Sequence, residues 1–147
     1  MRAADIMVDY PTVTLDDLAI DAARLLAGAD LPGLIVVDAA GKPSAVLPGT
    51  QVLRLAVPGY CQDDPALARV IDEATADVFL SELDGRTVRD CMPPQPKEVA
   101  LVSPTATVLE VAAMMARARS PLVAVVEGNR LLGVVTLDRL LDRVLAQ

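Results

Sequence analysis

The apolar and polar positions of the chain change periodicity in the same order twice. In the second half, "TVLE" is a capping box, Thr107 with Glu110, that opens a helix with apolar residues every three to four positions. Two apolar runs, "PLVAVVE" and "RLLGVV", flank a tight turn at Gly128 and predict buried strands. The last stretch, "LLGVVTLDRLLDRVL", predicts a strand that runs into an amphipathic helix at Thr136.

The first half of the chain repeats this order. "ADIM" returns as "RDCM", and the extended segment around Val13 returns around Val102. A helix with Asp16 or Asp17 as its cap, two strands ("GLIVVD" and "PSAVLP") and a less clear final helix complete the first copy. From Val13 to Asp38 the copies align without a gap at a spacing of 89 residues, which becomes 88 after the hairpin turn.

Each copy is therefore predicted as strand–helix–strand–strand–helix. A unit of about 50–60 residues is marginal by itself. We predict an α/β (α+β) fold in which two tandem repeats pack sheet to sheet, with pseudo-twofold symmetry and two equivalent clefts. Between the repeats, Asp64 as cap and Pro65 at the first helical position predict a helix to about Val78. The predicted divisions are 1–57 for the first repeat, 58–86 for a connecting insertion and 87–147 for the second repeat.

Composition narrows the class of protein. The chain is 53% apolar with a mean hydropathy of +0.43, yet no uninterrupted apolar run approaches the ~18 residues of a membrane span. Asp5 and Asp9 occupy the stretch where a signal peptide would be apolar. We therefore expect a soluble, cytoplasmic protein without membrane insertion, whose surplus apolar surface favours self-association.

Charge is distributed unevenly along the chain. The net charge of −7 argues against nucleic acid as a partner. Residues 1–90 carry a net charge of −8, whereas residues 91–147 carry +1. A small anionic ligand is therefore expected to prefer the second part of the chain.

Residue types that commonly carry catalysis are scarce. There is no histidine, which removes the commonest general base and metal ligand, and Cys61 and Cys91 belong to no CxxC pair. No nucleophile elbow, phosphate-binding P-loop or zinc-protease motif occurs. We predict no catalytic residue, no metal site and no enzyme activity, with both cysteines as buried thiols in a reducing compartment.

The two copies, quoted as "DIM…VTLDDLAIDAARLLAGADLPGLIVVDAAGKPSAVL" and "DCM…SPTATVLEVAAMMARARSPLVAVVEGNRLLGVVTLDRLL", resemble the halves of a CBS-domain pair, the Bateman module. The similarity covers nearly all of the chain except roughly residues 58–85. The resemblance implies the sheet-to-sheet pair described above and a homodimeric disc of four repeats. It also implies a regulatory module that binds an adenosyl effector (AMP, ADP, ATP, S-adenosylmethionine or a dinucleotide) and acts on a separate protein in trans.

The family's ligand motif is a glycine, two apolar residues, a Thr or Ser, and an Asp three residues later. The hydroxyl and the helix start meet phosphate, and the carboxylate accepts the ribose hydroxyls. In the second copy Gly133 and Thr136 match the motif, but Arg139 replaces the Asp, and Asp138 lies one residue early, about 100° around the helix. An alternative is that Thr136 only caps its helix and Arg139 only pairs with Asp142 or with a neighbouring acidic residue.

The first copy departs further from the motif. Pro48 stands where the hydroxyl should be, and Gln51 replaces the aspartate. Thr50 is left as a candidate helix cap. The sequence therefore favours the second cleft over the first as a ligand site.

The resemblance places the base-binding walls after the early methionine and at the start of the first hairpin strand of each copy. Tyr10 is a candidate to stack on a base, the alternative being an amphipathic residue at the rim. Two residues near these walls are assigned backbone roles: Gly133 should allow a close approach of a neighbour, and Pro32 should separate helix from strand. The wall candidates are Tyr10, Thr12, Gly33, Leu34, Val99, Pro121, Leu122 and Val123.

Two hypotheses for function remain open at this point. In the first, the chain is a ligand-sensing module in which an adenosine-type effector shifts a conformational equilibrium that a partner detects. In the second, it is a ligand-free module for dimerisation or docking. The departures at Pro48, Gln51 and Arg139 favour the second, whereas the intact turn from Gly133 to Thr136 favours the first.

Overall fold

The computed structural model describes residues 1–29, 31–56, 66 and 81–146. Cys61 and, except for residue 66, the helix predicted from Pro65 to about Val78 lie outside the described residues. None of the helices in the described ranges combines the length and the hydropathy needed to span a lipid bilayer.

Each copy contains the predicted order of a strand, a helix, two strands and a helix. The α/β class is confirmed, and a short leading helix precedes the first strand of each copy. Labelled in chain order within the described ranges, the elements are α1 (Ala3–Ile6), β1 (Thr12–Val13), α2 (Ala19–Gly28), β2 (Gly33–Val37), β3 (Pro43–Pro48), α3 (Gly49–Ala56), α4 (Val88–Cys91), β4 (Ala100–Val102), α5 (Val108–Ala118), β5 (Leu122–Glu127), β6 (Arg130–Thr136) and α6 (Leu137–Leu145).

The strands form two three-stranded sheets, with the orders β1-β2-β3 and β4-β5-β6. In the second sheet β4 runs parallel to β5, and β5 and β6 form the predicted antiparallel hairpin. Leu122 pairs with Thr136 at the end of this hairpin, and Val123 pairs with both Val135 and Ala100. The register therefore places the start of β5 beside the end of β6.

The chain divides into two compact units. One comprises Met1–Thr12, Ile35–Ala45 and Lys97–Gln147, and the other comprises Val13–Leu34 and Val46–Pro96. Each unit combines the leading helix of one repeat with most of the body of the other repeat. The predicted repeat boundaries in the sequence stay a prediction.

In the first unit, α1 packs on the body of the second repeat. Ala3 and Ile6 are fully buried in a cluster with Val111, Val135 and Leu140, and α1 contacts both β6 and α6. In the second unit, α4 packs in the same way against α2 and α3 of the first repeat. The leading helices are thus exchanged between the repeats, which sequence periodicity alone did not indicate.

The two long helices begin differently. The predicted capping box at Thr107 is confirmed, since its Oγ1 accepts the Glu110 N–H at 3.2 Å. The prediction of Asp16 or Asp17 as the cap of α2 is wrong, because Leu18 occupies that position without a side-chain cap. Asp17 instead accepts the Thr14 N–H at 2.9 Å, and Asp16 lies 3.2 Å from the Arg89 guanidinium. Both carboxylates therefore have other partners before the helix begins.

Cys91 is the last residue of α4 and is buried, as predicted. Its Sγ donates to the Thr87 carbonyl at 3.6 Å. Burial raises the pKa of the Cys91 thiol, and the neighbouring Asp90 carboxylate raises it further. The thiolate, which is the reactive form, is therefore disfavoured in the folded protein.

Candidate functional site

The turn between β6 and α6 is held by two hydrogen bonds. Thr136 is the N-cap of α6, and its Oγ1 accepts the Arg139 N–H at 3.3 Å. The Leu137 N–H donates to the Pro121 carbonyl at 2.9 Å. Two of the amides that could receive an anion at this helix start are therefore already used. Any further donor for an anion must come largely from a side chain.

Arg139 supplies such a side chain. It is partly buried, and its Nε is enclosed and has no hydrogen-bond partner among the described residues. The alternative pairing with Asp142 is wrong, since Arg139 forms no ion pair within the described part of the chain. A buried donor without an acceptor costs about 1–3 kcal/mol. An anionic oxygen beside Nε would remove this cost.

Asp138 and Arg139 differ in exposure although they are neighbours. Asp138 is exposed, whereas Arg139 is partly enclosed. The two side chains leave the helix about 100° apart. The two side chains therefore face different surroundings at this turn.

The sheet register brings the predicted wall residues of the second copy together. Leu122 pairs with Thr136, and Val99 directly precedes Ala100, the partner of Val123. The side chains of Leu122 and Val123 are fully buried and Val99 is nearly so, whereas Pro121 is exposed. Pro121 is thus the most accessible of these wall residues.

The first copy has the same backbone turn with different chemistry. The Gly49 N–H donates to the Pro32 carbonyl at 3.1 Å, and β2 begins directly after Pro32, as predicted for its backbone role. Thr50 is the second residue of α3, so the prediction that it caps this helix is wrong; Pro48 holds the cap position and has no hydroxyl. Gln51 is partly buried.

The remaining first-copy candidates fall in both compact units. Gly33 and Leu34 are buried in the second unit, and a Cβ on Gly33 would lie 2.9 Å from the Leu47 carbonyl oxygen. Tyr10 and Thr12 belong to the first unit, where Tyr10 is partly buried and Thr12 is exposed. Thr12 lines an open cleft of about 540 Å³ together with Glu127 and Arg130.

Gly133 lies against the chain's N-terminal segment. A Cβ at this position would be 3.0 Å from Met7 Sδ and 3.1 Å from the Val8 carbonyl oxygen. The predicted close approach is confirmed, and the approaching neighbour is the segment that follows α1. In the sequence, Met7 is notable only because it recurs at the start of each copy. The sequence analysis therefore did not predict its contact with Gly133 of the ligand motif.

The apolar stripe of α6 is largely exposed. Leu140 is buried, but Leu137, Leu141, Val144 and Leu145 are 42–77% exposed. Between α5 and α6 lies an apolar groove of about 510 Å³ whose walls include Met115, Leu137 and Leu141. In the described residues no group of three histidine, cysteine or carboxylate side chains is placed to hold a metal ion.

Comparison with known proteins places the chain in a family. The model of the CBS domain matches residues 88–146. A CBS domain-containing protein of unknown function from Kribbella flavida DSM 17836 is 52% identical, with 99% of both chains covered and a TM-score of 0.89. The chain is a CBS-domain protein. Its two copies form a tandem pair of CBS domains, and CBS-domain proteins are generally regulatory.

Two more distant structures share the fold. The CBS-pair protein CBSX2 in complex with AMP is 21% identical, with 99% of this chain and 96% of that chain covered and a TM-score of 0.67; CBSX2 comes from Arabidopsis thaliana. The CBS domain of a membrane protein from Sphaerobacter thermophilus is 21% identical, with 97% and 86% covered and a TM-score of 0.72. Among curated proteins no match was found.

Proposed function

We propose that this CBS pair is a ligand-sensing module that binds a phosphorylated adenosine-type nucleotide at the turn from Gly133 to Arg139 and modulates a separate partner protein. The observation that carries the proposal is the enclosed Arg139 Nε, which has no acceptor among the described residues. A phosphate oxygen would accept from this nitrogen. A charge-assisted bond of this kind contributes about 1.5–3 kcal/mol.

The ligand's negative charge matters more than its sugar in this proposal. Arg139 has donors only, so it cannot accept hydrogen bonds from ribose hydroxyls. The exposed Asp138 points away from Arg139 around the helix and does not substitute for a ribose-binding carboxylate. We therefore expect adenosine to bind much more weakly than AMP or ATP. The AMP found in CBSX2 makes a nucleotide of this class a reasonable first probe.

The exposed apolar faces of the repeat helices support assembly as a homodimer. On α6 four large apolar side chains are exposed, and Leu18, Leu25 and Leu53 add exposed apolar surface to the first repeat. A chain with this much apolar helix surface gains free energy by covering it. We propose a second copy as the covering partner, and a separate protein as the target of regulation. Light scattering that shows a stable monomer at micromolar concentration would count against the homodimer.

A ligand-free docking module is the second candidate. It is favoured by the hydroxyl of Thr136, which already caps α6, and by Pro48 and Gln51, which leave the first copy without either ligand group. In this case the Arg139 side chain would only cover apolar surface with its methylene groups.

Titration calorimetry distinguishes the two candidates. ATP, AMP, adenosine and S-adenosylmethionine are titrated into the parent protein and into Arg139→Ala. Arg143→Ala is the matched control, because Arg143 is an exposed arginine on the same helix. We expect ATP to bind the parent at least tenfold more tightly than adenosine, and Arg139→Ala alone to lose this preference. Equal binding of ATP and adenosine would contradict the charge-dependent site, and the absence of binding would favour the docking module.

A further inference from the structure

The segment Arg2–Val8, here called the strap, is fastened to the body of the second repeat by its backbone. The Ala3 N–H donates to the Ala106 carbonyl at 2.8 Å, and the Ala4 N–H donates to the Pro104 carbonyl at 3.0 Å. At the other end of the strap, Val8 and Val134 exchange two hydrogen bonds of 2.9 and 3.0 Å. The strap therefore ends in an isolated antiparallel bridge at the edge of β6.

The strap touches both elements that form the candidate turn. Val8 pairs with β6 two residues before Thr136. Ile6 is fully buried in the same cluster as Leu140, which directly follows Arg139 in α6. A change in the position of α6 or of the end of β6 therefore alters the contacts of the strap.

The equivalent segment of the second repeat lacks the strand-like bond. Thr87 and Asp90 repeat the local turn of Arg2 and Asp5, with backbone-to-carboxylate bonds of 2.9 and 2.8 Å. In the position of Val8, however, stands Pro93, which has no N–H to donate. Among the described residues, no counterpart of the Val8–Val134 bridge occurs for this segment. The additional bridge is therefore formed by the leading segment of the first repeat, on the copy that carries Arg139.

We infer that the strap is a positioning and regulatory element of the Thr136–Arg139 site, an inference that rests on the proposed function. Docking of the strap fixes the end of β6, and an anion bound at the first turn of α6 strengthens docking of the strap. Such coupling is reciprocal, because each event changes the equilibrium constant of the other by the same factor.

The first test needs no ligand. Thr136→Ala removes the side-chain cap of α6, and hydrogen exchange is measured at the amides of Ala3, Ala4 and Val8. We expect their exchange to become at least fivefold faster. Gly128→Ala is the control, because it disturbs a turn at the far end of the hairpin, with φ of +62°, and should leave these amides near parental rates. Equal rates in both variants would overturn the inference.

The second test uses ATP and pyrophosphate as probes. Val8→Pro removes the donor to Val134 and copies Pro93; Met7 already has ψ of 155°, which the residue before a proline requires. Val8→Ala keeps the donor and serves as the conservative control. We expect Val8→Pro to lower the affinity for both probes at least fivefold. Val8→Ala should retain most of the parental affinity. Gly133→Ala, which presses on Met7 and Val8, is the milder second variant.

The outcomes separate this inference from the proposed function. If the parent binds ATP and Val8→Pro binds it equally, the strap has no role and the proposed function stands. If the parent binds neither probe, the proposed function fails and the inference fails with it. Faster strap exchange in Thr136→Ala together with weaker ATP binding in Val8→Pro supports both.

Discussion

The two turns that follow the hairpins have one backbone arrangement and two sets of side chains. In both copies the first helical N–H donates to the carbonyl of the proline before the first hairpin strand, at 3.1 Å in the first copy and 2.9 Å in the second. The hydroxyl and the cation, however, occur only in the second copy, as Thr136 and Arg139. The backbone turn is therefore common to both copies, whereas the side chains that it presents differ.

The leading segments differ in a similar way. α1 and α4 both insert buried residues into the other repeat. Within the described residues, the first is followed by a backbone bridge at Val8, whereas the second is followed by Pro93, which has no N–H to donate. The copy with the charged turn is the one on which the leading segment of the first repeat docks, and that segment forms the additional backbone bridge. The predictions below test whether these two differences are connected.

The largest expected effect is a difference in the free energy of unfolding between variants of the two leading helices. Ile6 is fully buried, and Ile6→Ala should lower the free energy of unfolding by about 2–5 kcal/mol. Cys91→Ala, the change at the equivalent buried position, should cost less because it removes only one sulfur atom. Urea titration measures both. If Cys91→Ala cost as much free energy of unfolding as Ile6→Ala, or more, the size of the buried side chain would not account for the contribution of each leading helix.

The next largest effect is a difference in ATP affinity between variants of the two turns that follow the hairpins. Arg139→Asp should lower the affinity for ATP by at least tenfold, consistent with the loss of about 1.5–3 kcal/mol per charge-assisted contact. It should also shift the preference toward adenosine or S-adenosylmethionine, because a carboxylate accepts from both ribose hydroxyls. Gln51→Asp should change ATP affinity less than threefold. Comparable losses of ATP affinity in both variants would contradict the proposal that the second copy alone binds the phosphate groups.

Gly133 and Ala45 occupy equivalent positions in the two hairpins. Gly133→Ala should cost about 1–3 kcal/mol through overpacking against Met7 and Val8. Ala45→Gly should cost about 0.5–1 kcal/mol, through the greater freedom of glycine in the unfolded chain. Thermal unfolding measures both losses, and hydrogen exchange at Val8 should respond only to Gly133→Ala. A response to Ala45→Gly would remove the distinction between the copies.

The two long helices also end differently. Arg119 follows α5 in the left-handed conformation, with φ of +52°, whereas Ala29 follows α2 with φ of −113°. Arg119→Gly should therefore raise the free energy of unfolding by up to about 1 kcal/mol. Ala29→Gly should give no gain. Melting curves of the two variants provide the comparison.

The smallest effect depends on pH and belongs to the second leading helix alone. The pKa of the Cys91 thiol is raised in the folded protein by burial and by Asp90, so the unfolded chain releases its proton first. Stability attributable to Cys91 is complete below the ordinary thiol pKa of about 8.5 and is lost as the pH rises toward the folded value. In a Cys61→Ser background, Cys91→Ala should flatten the alkaline limb of stability against pH. An identical slope would contradict the prediction.

The repeat and its elements were predictable because they depend on local patterns. The strand "PSAVLP" was predicted with the bounds that β3 has, and the capping box at Thr107 has the predicted partners. The predicted caps, Asp16 or Asp17 for α2 and Thr50 for α3, were wrong, because α2 begins after Leu18 and α3 begins at Gly49. Side-chain oxygens that fit a cap locally were already engaged elsewhere or lay inside the helix.

Sequence by itself determined the fold class, the internal repeat and the departure of Arg139 and Pro48 from the family's ligand motif. Each of these follows from residue types at fixed spacing, which a linear chain displays directly. Only the tertiary structure decided that α1 docks on the second repeat, that Gly133 leaves room for Met7, and that the Arg139 Nε is enclosed without an acceptor among the described residues. These features join positions about 100 residues or more apart, or depend on which atoms surround one nitrogen. Neither kind of information is present in local periodicity.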